Sequence, residues 1–190
     1  GGKTYSAVVE LLRRIYTDVA NLEQLIADGK AKHSVGNGPN RVPSLLYWIV
    51  SPIHELGLPS WRWFLECCPP ELIEYQREHP RRVWLRPNVL VEWKSADTPE
   101  LLVGASVRGM LLDEACRIKA QTWVGSLRGR LADTQGYAVF ATSPTGGRMS
   151  WVYQQFVAKS GEPEIENVSW TTAENPHIPA SEIESARRSL

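Results

Sequence analysis

Two short groups of residues could do chemistry together: Gly2-Lys3-Thr4 near the start of the chain and Asp113-Glu114 past its middle. Gly-Lys-Thr opening a helix matches the end of the phosphate-binding pattern G-x-x-x-x-G-K-[ST]. In that arrangement the glycine lets backbone amides approach phosphate oxygens, and the helix N-terminus favours their negative charge. Lys3 reaches the β- and γ-phosphates, and the Thr4 hydroxyl ligates Mg²⁺. The pattern's first glycine, its middle residues and the strand that precedes them are not in the chain. The tripeptide also recurs by chance, and what distinguishes it here is that an amphipathic helix begins where the pattern requires one.

The second group ends the apolar run Gly109-Met110-Leu111-Leu112. Such a run predicts a buried parallel strand whose C-terminal edge opens on a crevice, where an α/β sheet exposes polar groups to a ligand. Neighbouring strand residues point to opposite sides, so one acid is expected to face a metal ion and the other an attacking water. Alone, the run also fits a strand end that meets solvent. Joined to Gly-Lys-Thr it means more, because a Mg²⁺ bound to phosphates needs Thr4 on one side and a carboxylate such as Asp113 on the other. Glu114 is then the candidate general base for water. A third signal is the run Tyr137 to Ala141, whose exit loop Thr142-Ser143-Pro144 puts hydroxyls at the same edge. By itself that loop fits an ordinary Pro-Gly turn; beside the other two it can sense the γ-phosphate. Together the three predict a nucleotide hydrolase.

The elements that must position these groups follow from hydrophobic periodicity. After Thr4 a helix carries Val8, Leu11, Leu12, Ile15 and Val19 on one stripe and Glu10, Arg13, Arg14, Thr17 and Asp18 on the other face. The helical pattern resumes from Asn21 to Asp28 and stops at Gly29. Residues 30–43 read as a flexible polar loop, solvated or touching a polyanion. Leu45 to Val50 is a buried strand ended by Ser51-Pro52. Trp61, Trp63, Phe64 and Leu65 lie in a helix stopped by Pro69-Pro70, their spacing fitting core better than a base-stacking platform. A second short helix is expected near Glu71 to Arg77. Val83-Trp84-Leu85 and Val89 to Trp93 flank Arg86-Pro87-Asn88 as a β-hairpin. Beyond the acid pair, Ala120, Trp123, Val124, Leu127 and Leu131 mark a helix closed near Gly136, and Tyr137 to Ala141 a buried strand. Met149, Val152, Tyr153 and Phe156 suggest a helix, Ile165 to Trp170 a last strand, and Ser181 to Leu190 a last helix with Ser181 and Glu184 as its capping box. Alternating strands and helices predict an α/β fold with a mainly parallel sheet covered by helices.

At 190 residues the chain holds one α/β domain, and its 21 basic and 21 acidic residues advertise no overall field toward nucleic acid or membrane. Local patches are not excluded by that balance. Cys67, Cys68 and Cys116 are few, odd in number and without metal-ligand spacing, which fits reduced thiols in a cytosol-like compartment. No apolar stretch approaches the roughly 18 residues that span a bilayer, and no leader is recognisable, so the reading is of a soluble, unsecreted chain.

These motifs, in this order, resemble the large terminase subunit of tailed bacteriophages and prophages, the motor that packages DNA into procapsids. Gly2-Lys3-Thr4 resembles the end of its Walker A motif. Val91 to Ala96, Pro99, Gly104 and Met110 to Ala115 resemble its hairpin and Walker B region. Leu127 to Gly136 running into Phe140-Ala141-Thr142-Ser143-Pro144 is similar to the helix leading to its coupling motif. Trp151 to Phe156, and Thr171 to Ile178 with its Asn175-Pro176, complete the match. The resemblance implies a P-loop NTPase of the additional-strand class with its first strand truncated, residues 1–174 forming the ATPase domain and residues 175–190 a linker helix toward a nuclease domain outside the chain. It implies ATP binding by Gly2, Lys3 and Thr4, Mg²⁺ binding by Thr4 and Asp113, and water activation by Glu114. Thr142 and Ser143 would couple hydrolysis to movement. Arg128 and Arg130 are candidates for stabilising transition-state charge, in cis or from a neighbouring subunit, with solvation or pairing to Asp133 as the alternative. Implied partners are double-stranded DNA, the small terminase subunit, the portal protein and further copies in a ring, in the cytoplasm of the bacterial host cell and without a membrane. Competing readings are another P-loop DNA motor such as a helicase, and an inert partner-binding domain that has kept the fold.

Overall fold

The strands are built from the apolar runs, and their burial on both faces follows from what lies above and below them. In the computed structural model, which describes residues 2–175 and 178–188, β1 (Leu45–Ser51) and β5 (Gly109–Asp113) are buried along nearly their whole length and β4 (Val89–Ser95) over its first three residues and Trp93. With β2 (Ile73–Glu78), β3 (Arg81–Leu85) and β6 (Tyr137–Ala141) they form a six-stranded sheet ordered β2-β3-β4-β1-β5-β6. The pairs β4-β1, β1-β5 and β5-β6 are parallel, and β2-β3 and β3-β4 antiparallel. The mainly parallel α/β sheet and the hairpin about Arg86-Pro87-Asn88 are as the sequence predicts.

One face of the sheet, carrying Tyr47, Ile49, Val91 and Leu111, packs on α1 (Gly2–Ala20) and α3 (Leu58–Cys67). Val8, Leu11 and Ile15 of α1 are fully buried there, each gaining roughly 1.5–3 kcal/mol from leaving water. A short α2 (Leu22–Ala27) follows, and Gly29 at φ +74° ends it in the left-handed conformation that suits glycine. On the other face the Trp123 ring meets Phe140 of β6 edge-on at 5.1 Å and stacks on Trp151 at 6.2 Å. The expected helix after the acid pair is irregular: one α-turn, α4 (Ala120–Thr122), a π-helical turn (Trp123–Leu127) and a 3₁₀ turn (Arg128–Leu131).

Several expectations are corrected. Glu71 to Arg77 forms no helix; after a 3₁₀ turn (Pro70–Leu72) it is the edge strand β2, whose largely exposed residues give no period-2 apolar signal. Residues 30–43 are a loop, yet a pinned one: Val35 bridges Val42, and the Arg41 guanidinium lies 4.0 Å above the Trp84 ring and 2.6 Å from Glu74. β6 is partly exposed because it is the other edge of the sheet.

The chain divides into two compact units, the first running to Trp151 and the second starting at Val152. Within the second, a 3₁₀ turn (Val157–Lys159) and hydrogen bonds from Asn167 to Phe156 and Ser160 organise the chain, and no strand forms at 165–170. Val168 and Trp170 there are exposed and lack a sheet to join. α5 (Trp151–Gln155) starts at the boundary and excludes Met149, which is exposed in a preceding 3₁₀ turn. The last helix, α6 (Ala180–Arg188), begins before Ser181, so Ser181 is not its cap and Glu184 pairs with Arg188 at 3.4 Å. Gly1, Pro176, His177, Ser189 and Leu190, which the motif and helix expectations include, lie outside the described residues.

Asp18 is the most consequential correction. It leaves the solvated face of α1 and is buried at the start of the parallel strands. There it accepts the Tyr47 hydroxyl at 2.8 Å and Arg108 through Nε at 3.1 Å and Nη2 at 2.9 Å. Arg108 also donates to the Thr134 carbonyl at 2.8 Å. Burial, with Tyr137 and Asp18 nearby, pushes the Tyr47 phenol well above its ordinary value, so it stays a donor. Removing one partner of a buried ion pair costs more than the pair contributes. Arg108→Met is therefore expected to lower unfolding free energy by about 3 kcal/mol, read by urea denaturation with tryptophan fluorescence; a loss near zero would show that the cluster does not hold the helix.

Candidate functional site

α1 runs antiparallel to β6. Arg14, in its middle, lies over the Tyr137 ring at the start of β6, whereas Lys3, at its beginning, reaches Ser143 just past the end of β6. This orientation sets the unpaired amides of the helix start at the C-terminal edge of the parallel strands, with no acidic side chain in the first turn. A Cβ built on Gly2 would meet no atom within 4 Å, so nothing among the described residues crowds that end.

At this edge the sequence-predicted groups meet. Thr4 Oγ1 donates to Asp113 Oδ1 at 3.1 Å, across 109 residues of chain. Lys3 Nζ donates to Ser143 Oγ at 3.0 Å and stands 3.9 Å from Glu114 Oε1. The parallel register sets Asp113 beside Ala141, so Thr142 and Ser143 emerge next to the acid pair. Thr142 Oγ1 accepts the Cys116 backbone N–H at 3.0 Å and donates to the Ser143 carbonyl at 3.0 Å, tying the two exit loops together.

The acid pair does not split across a strand as expected. β5 ends at Asp113, and Glu114 takes a left-handed conformation, φ +49° and ψ +42°, which an L-residue adopts at a cost and which turns the chain into a 3₁₀ turn (Ala115–Arg117). The two acids still differ in environment. Asp113 is 3% exposed, and burial pushes its carboxyl above the ordinary aspartate value, while hydrogen bonds from the Thr4 hydroxyl and the Glu114 N–H, with the Ser60 hydroxyl nearby, oppose that shift. Glu114 is half-buried beside two cations, Lys3 at 3.9 Å and Arg117 at 3.6 Å.

Arg128 stands apart: it is exposed in its 3₁₀ turn, outside this hydrogen-bonded cluster. Asp133, the alternative partner for Arg128 or Arg130, accepts from Ser106 at 2.7 Å. Sequence reasoning missed Ser60 and Arg117. Ser60 is fully buried in α3 and donates to the Gly57 carbonyl at 3.0 Å; Arg117, three residues after Glu114, was the more legible of the two. An open groove of about 650 Å³ between α1 and α3, lined by Tyr5, Val9, Tyr16 and Trp63, includes none of the cluster's side chains.

As a ligand set, a hydroxyl and a buried carboxylate sharing one short contact are hard oxygen donors, the type that holds Mg²⁺ together with substrate phosphates and water. Among the described residues no group of three or more His, Cys, Asp and Glu forms a metal cage. Thr4 and Asp113 thus fit a shared, phosphate-completed ion.

No protein-family model matches the chain. Over 64 residues, 34% of the chain, it is 34% identical to the large terminase subunits of Thermus phage G20c and of Thermus virus P23-45. That stretch spans 13% of each relative's length. Among solved structures, the large terminase of a thermophilic bacteriophage superposes with a TM-score of 0.61 at 11% identity, covering 78% of this chain and 38% of that one. The fold is that of large terminase ATPase domains. The ATPase domain of the Thermus phage P74-26 large terminase agrees, with a TM-score of 0.51 at 21% identity over 60% of this chain and 53% of the other. The former terminase has also been solved with ADP and with ATP-gamma-S, at TM-scores of 0.54 and 0.52. These domains are P-loop NTPases, and the six-stranded, mostly parallel sheet flanked by helices is theirs.

The buried acid gives this site a pH signature. A carboxyl whose folded pKa is raised binds its proton more tightly folded than unfolded, so its contribution to stability is present at low pH and is lost as pH rises through the raised value. Asp113→Asn removes that loss. The melting temperature of Asp113→Asn relative to the unmodified protein is expected to climb from acid toward neutral pH; a gap independent of pH would mean that Asp113 is not a strained carboxylate.

Proposed function

We propose that the chain is the ATPase part of a DNA-packaging terminase large subunit, hydrolysing ATP to drive double-stranded DNA into a procapsid. The observation that carries the reading is the pair of long-range hydrogen bonds, Thr4 to Asp113 and Lys3 to Ser143, which gather a helix start, an acid pair and a hydroxyl loop at one sheet edge. The sequence and fold likeness to large terminases supports the same assignment.

In this reading Gly2 and the free amides of α1 receive the phosphates, and Lys3 exchanges its contacts with Ser143 and Glu114 for the β- and γ-oxygens. Thr4 and Asp113 hold Mg²⁺, which supplies charge neutralisation on the phosphates when bound. Glu114 accepts the proton of a water aimed at the γ-phosphorus, and positioning and electrostatics account for most of the rate. Thr142 and Ser143 register the γ-phosphate, Ser143 through the Lys3 contact it loses when Lys3 turns to nucleotide. The hydrogen bond from the Cys116 N–H to Thr142 ties the turn after Glu114 to that loop. Arg128, exposed and outside the cluster, suits an arginine offered to a neighbouring subunit's site.

Residues 1–174 are read as the ATPase domain and the segment from 175 onward, with α6, as a linker leading toward a nuclease domain. The working partners are double-stranded DNA, the small terminase subunit and the portal protein, with several copies in a ring, in the bacterial host cytoplasm. No helix among the described residues is long and apolar enough to cross a membrane.

The test is steady-state ATP turnover with Mg²⁺, with and without double-stranded DNA, in the full-length subunit. Glu114→Gln is expected to cut kcat by about 10²–10⁴-fold while ATP still binds, because a general base contributes on that order. Lys3→Ala should instead weaken ATP binding. Undiminished turnover in Glu114→Gln removes the base, and an inert unmodified subunit favours the partner-binding alternative.

A further inference from the structure

We infer that Arg117 is a positioning residue for Glu114, the group that keeps its carboxylate in place once Lys3 has been drawn to phosphate. The inference rests on the reading of Glu114 as the base.

The Glu114 oxygens face two cations: Oε1 stands 3.9 Å from Lys3 Nζ, and Oε2 stands 3.6 Å from Arg117 Nε. Only one of these cations is free to stay. A lysine that follows the glycine of a phosphate loop is needed by the nucleotide, and its partners on the protein are surrendered when the phosphates arrive. Glu114, half-buried and in a left-handed conformation, would then have lost one of the two charges that orient it.

Arg117 cannot leave in the same way, because it belongs to the same turn. Its backbone N–H donates to the Glu114 carbonyl at 2.8 Å, closing the 3₁₀ turn and setting the two side chains near each other, with Nε 3.6 Å from Oε2. The turn is fixed from outside by Cys116, whose N–H is held by Thr142 Oγ1 at 3.0 Å. A partner on one short, anchored turn does not separate from the base as a gate would. It holds the base instead. The Arg117 side chain is 58% exposed, and an exposed pair adds little to fold stability. A rate lost on removing it therefore reports the placement of the carboxylate and not unfolding.

The experiment measures Mg²⁺-ATP turnover of the full-length subunit carrying Arg117→Ala, Arg117→Lys, Glu114→Gln or the Arg117→Ala/Glu114→Gln pair. Arg117→Ala is expected to lower kcat about 5–50-fold, short of the 10²–10⁴-fold lost with a base itself. Its KM for ATP should stay within about twofold, since Arg117 is not placed on the phosphates. Arg117→Lys, which restores a charge, should recover most of the rate, and Arg117→Ala should cost nothing further in the Glu114→Gln background. An unchanged or raised kcat in Arg117→Ala overturns the inference, as does a loss that lysine does not rescue or one that appears only in KM. If Glu114→Gln is inactive while Arg117→Ala is silent, only the positioning role fails; if Glu114→Gln turns over normally, the assignment of the base fails first.

Discussion

The structure depends on a helix start being held against a strand end. α1 must lie antiparallel to β6 for its unpaired amides to face the edge where β5 and β6 stop, and the Thr4–Asp113 hydrogen bond fixes that alignment at the working end. Apolar packing alone does not. The buried stripe of Val8, Leu11 and Ile15 would tolerate sliding along a sheet face of similar residues, because hydrophobic burial is non-directional. Direction comes from polar contacts at the two ends: Thr4 with Asp113 at one, Asp18 with Arg108 and Tyr47 at the other. The apolar middle supplies stability and the polar ends supply register.

The two ends are built differently. At the start of the strands, Asp18 is satisfied by three donors from Tyr47 and Arg108, and Arg108 is satisfied in turn by Asp18 and the Thr134 carbonyl. A fully partnered buried network has no reason to rearrange. At the other end Asp113 is equally buried, but its hydrogen bonds come from the neutral Thr4 hydroxyl and Glu114 N–H and do not offset its desolvation, and Lys3 spans a serine and a glutamate at unequal distance. Among the described residues, this leaves a buried carboxylate without the cation that its counterpart at the other end has.

What was legible in the sequence follows this division. β1, β5 and the β3–β4 hairpin were readable because strands buried on both faces are continuous apolar runs and the turn residues between β3 and β4 are unambiguous. The gathering of Lys3, Thr4, Asp113, Glu114 and Ser143 at one edge was readable because a helix start and the ends of parallel strands meet there. β2 was not: an edge strand with exposed Glu, Gln and Arg carries neither period. Nor was the burial of Asp18, since helical periodicity assigns every charge to solvent and cannot see an arginine 90 residues away. Residues 165–170 failed in the opposite direction, their β-forming side chains finding no neighbouring strand.

The misreading of Glu114 carries the most physical content. Alternation along a strand predicted two acids on opposite sides of a sheet, a geometry that would have put one of them under α1 or among the aromatics of the other face. Ending β5 at Asp113 avoids that. The left-handed residue that follows costs conformational energy, and strain of this kind persists only where surrounding contacts over-determine it. Here they do: the Arg117 and Ile118 N–H groups close the turn onto Glu114 and Ala115, and Thr142 holds Cys116 from the neighbouring loop. The strain thus lets two adjacent carboxylates both meet the start of α1 in unlike surroundings, Asp113 sealed against Thr4 and Glu114 open between cations. Adjacent residues on a regular strand could not share a side, and a longer connection could not hold the second acid at a fixed distance from the first.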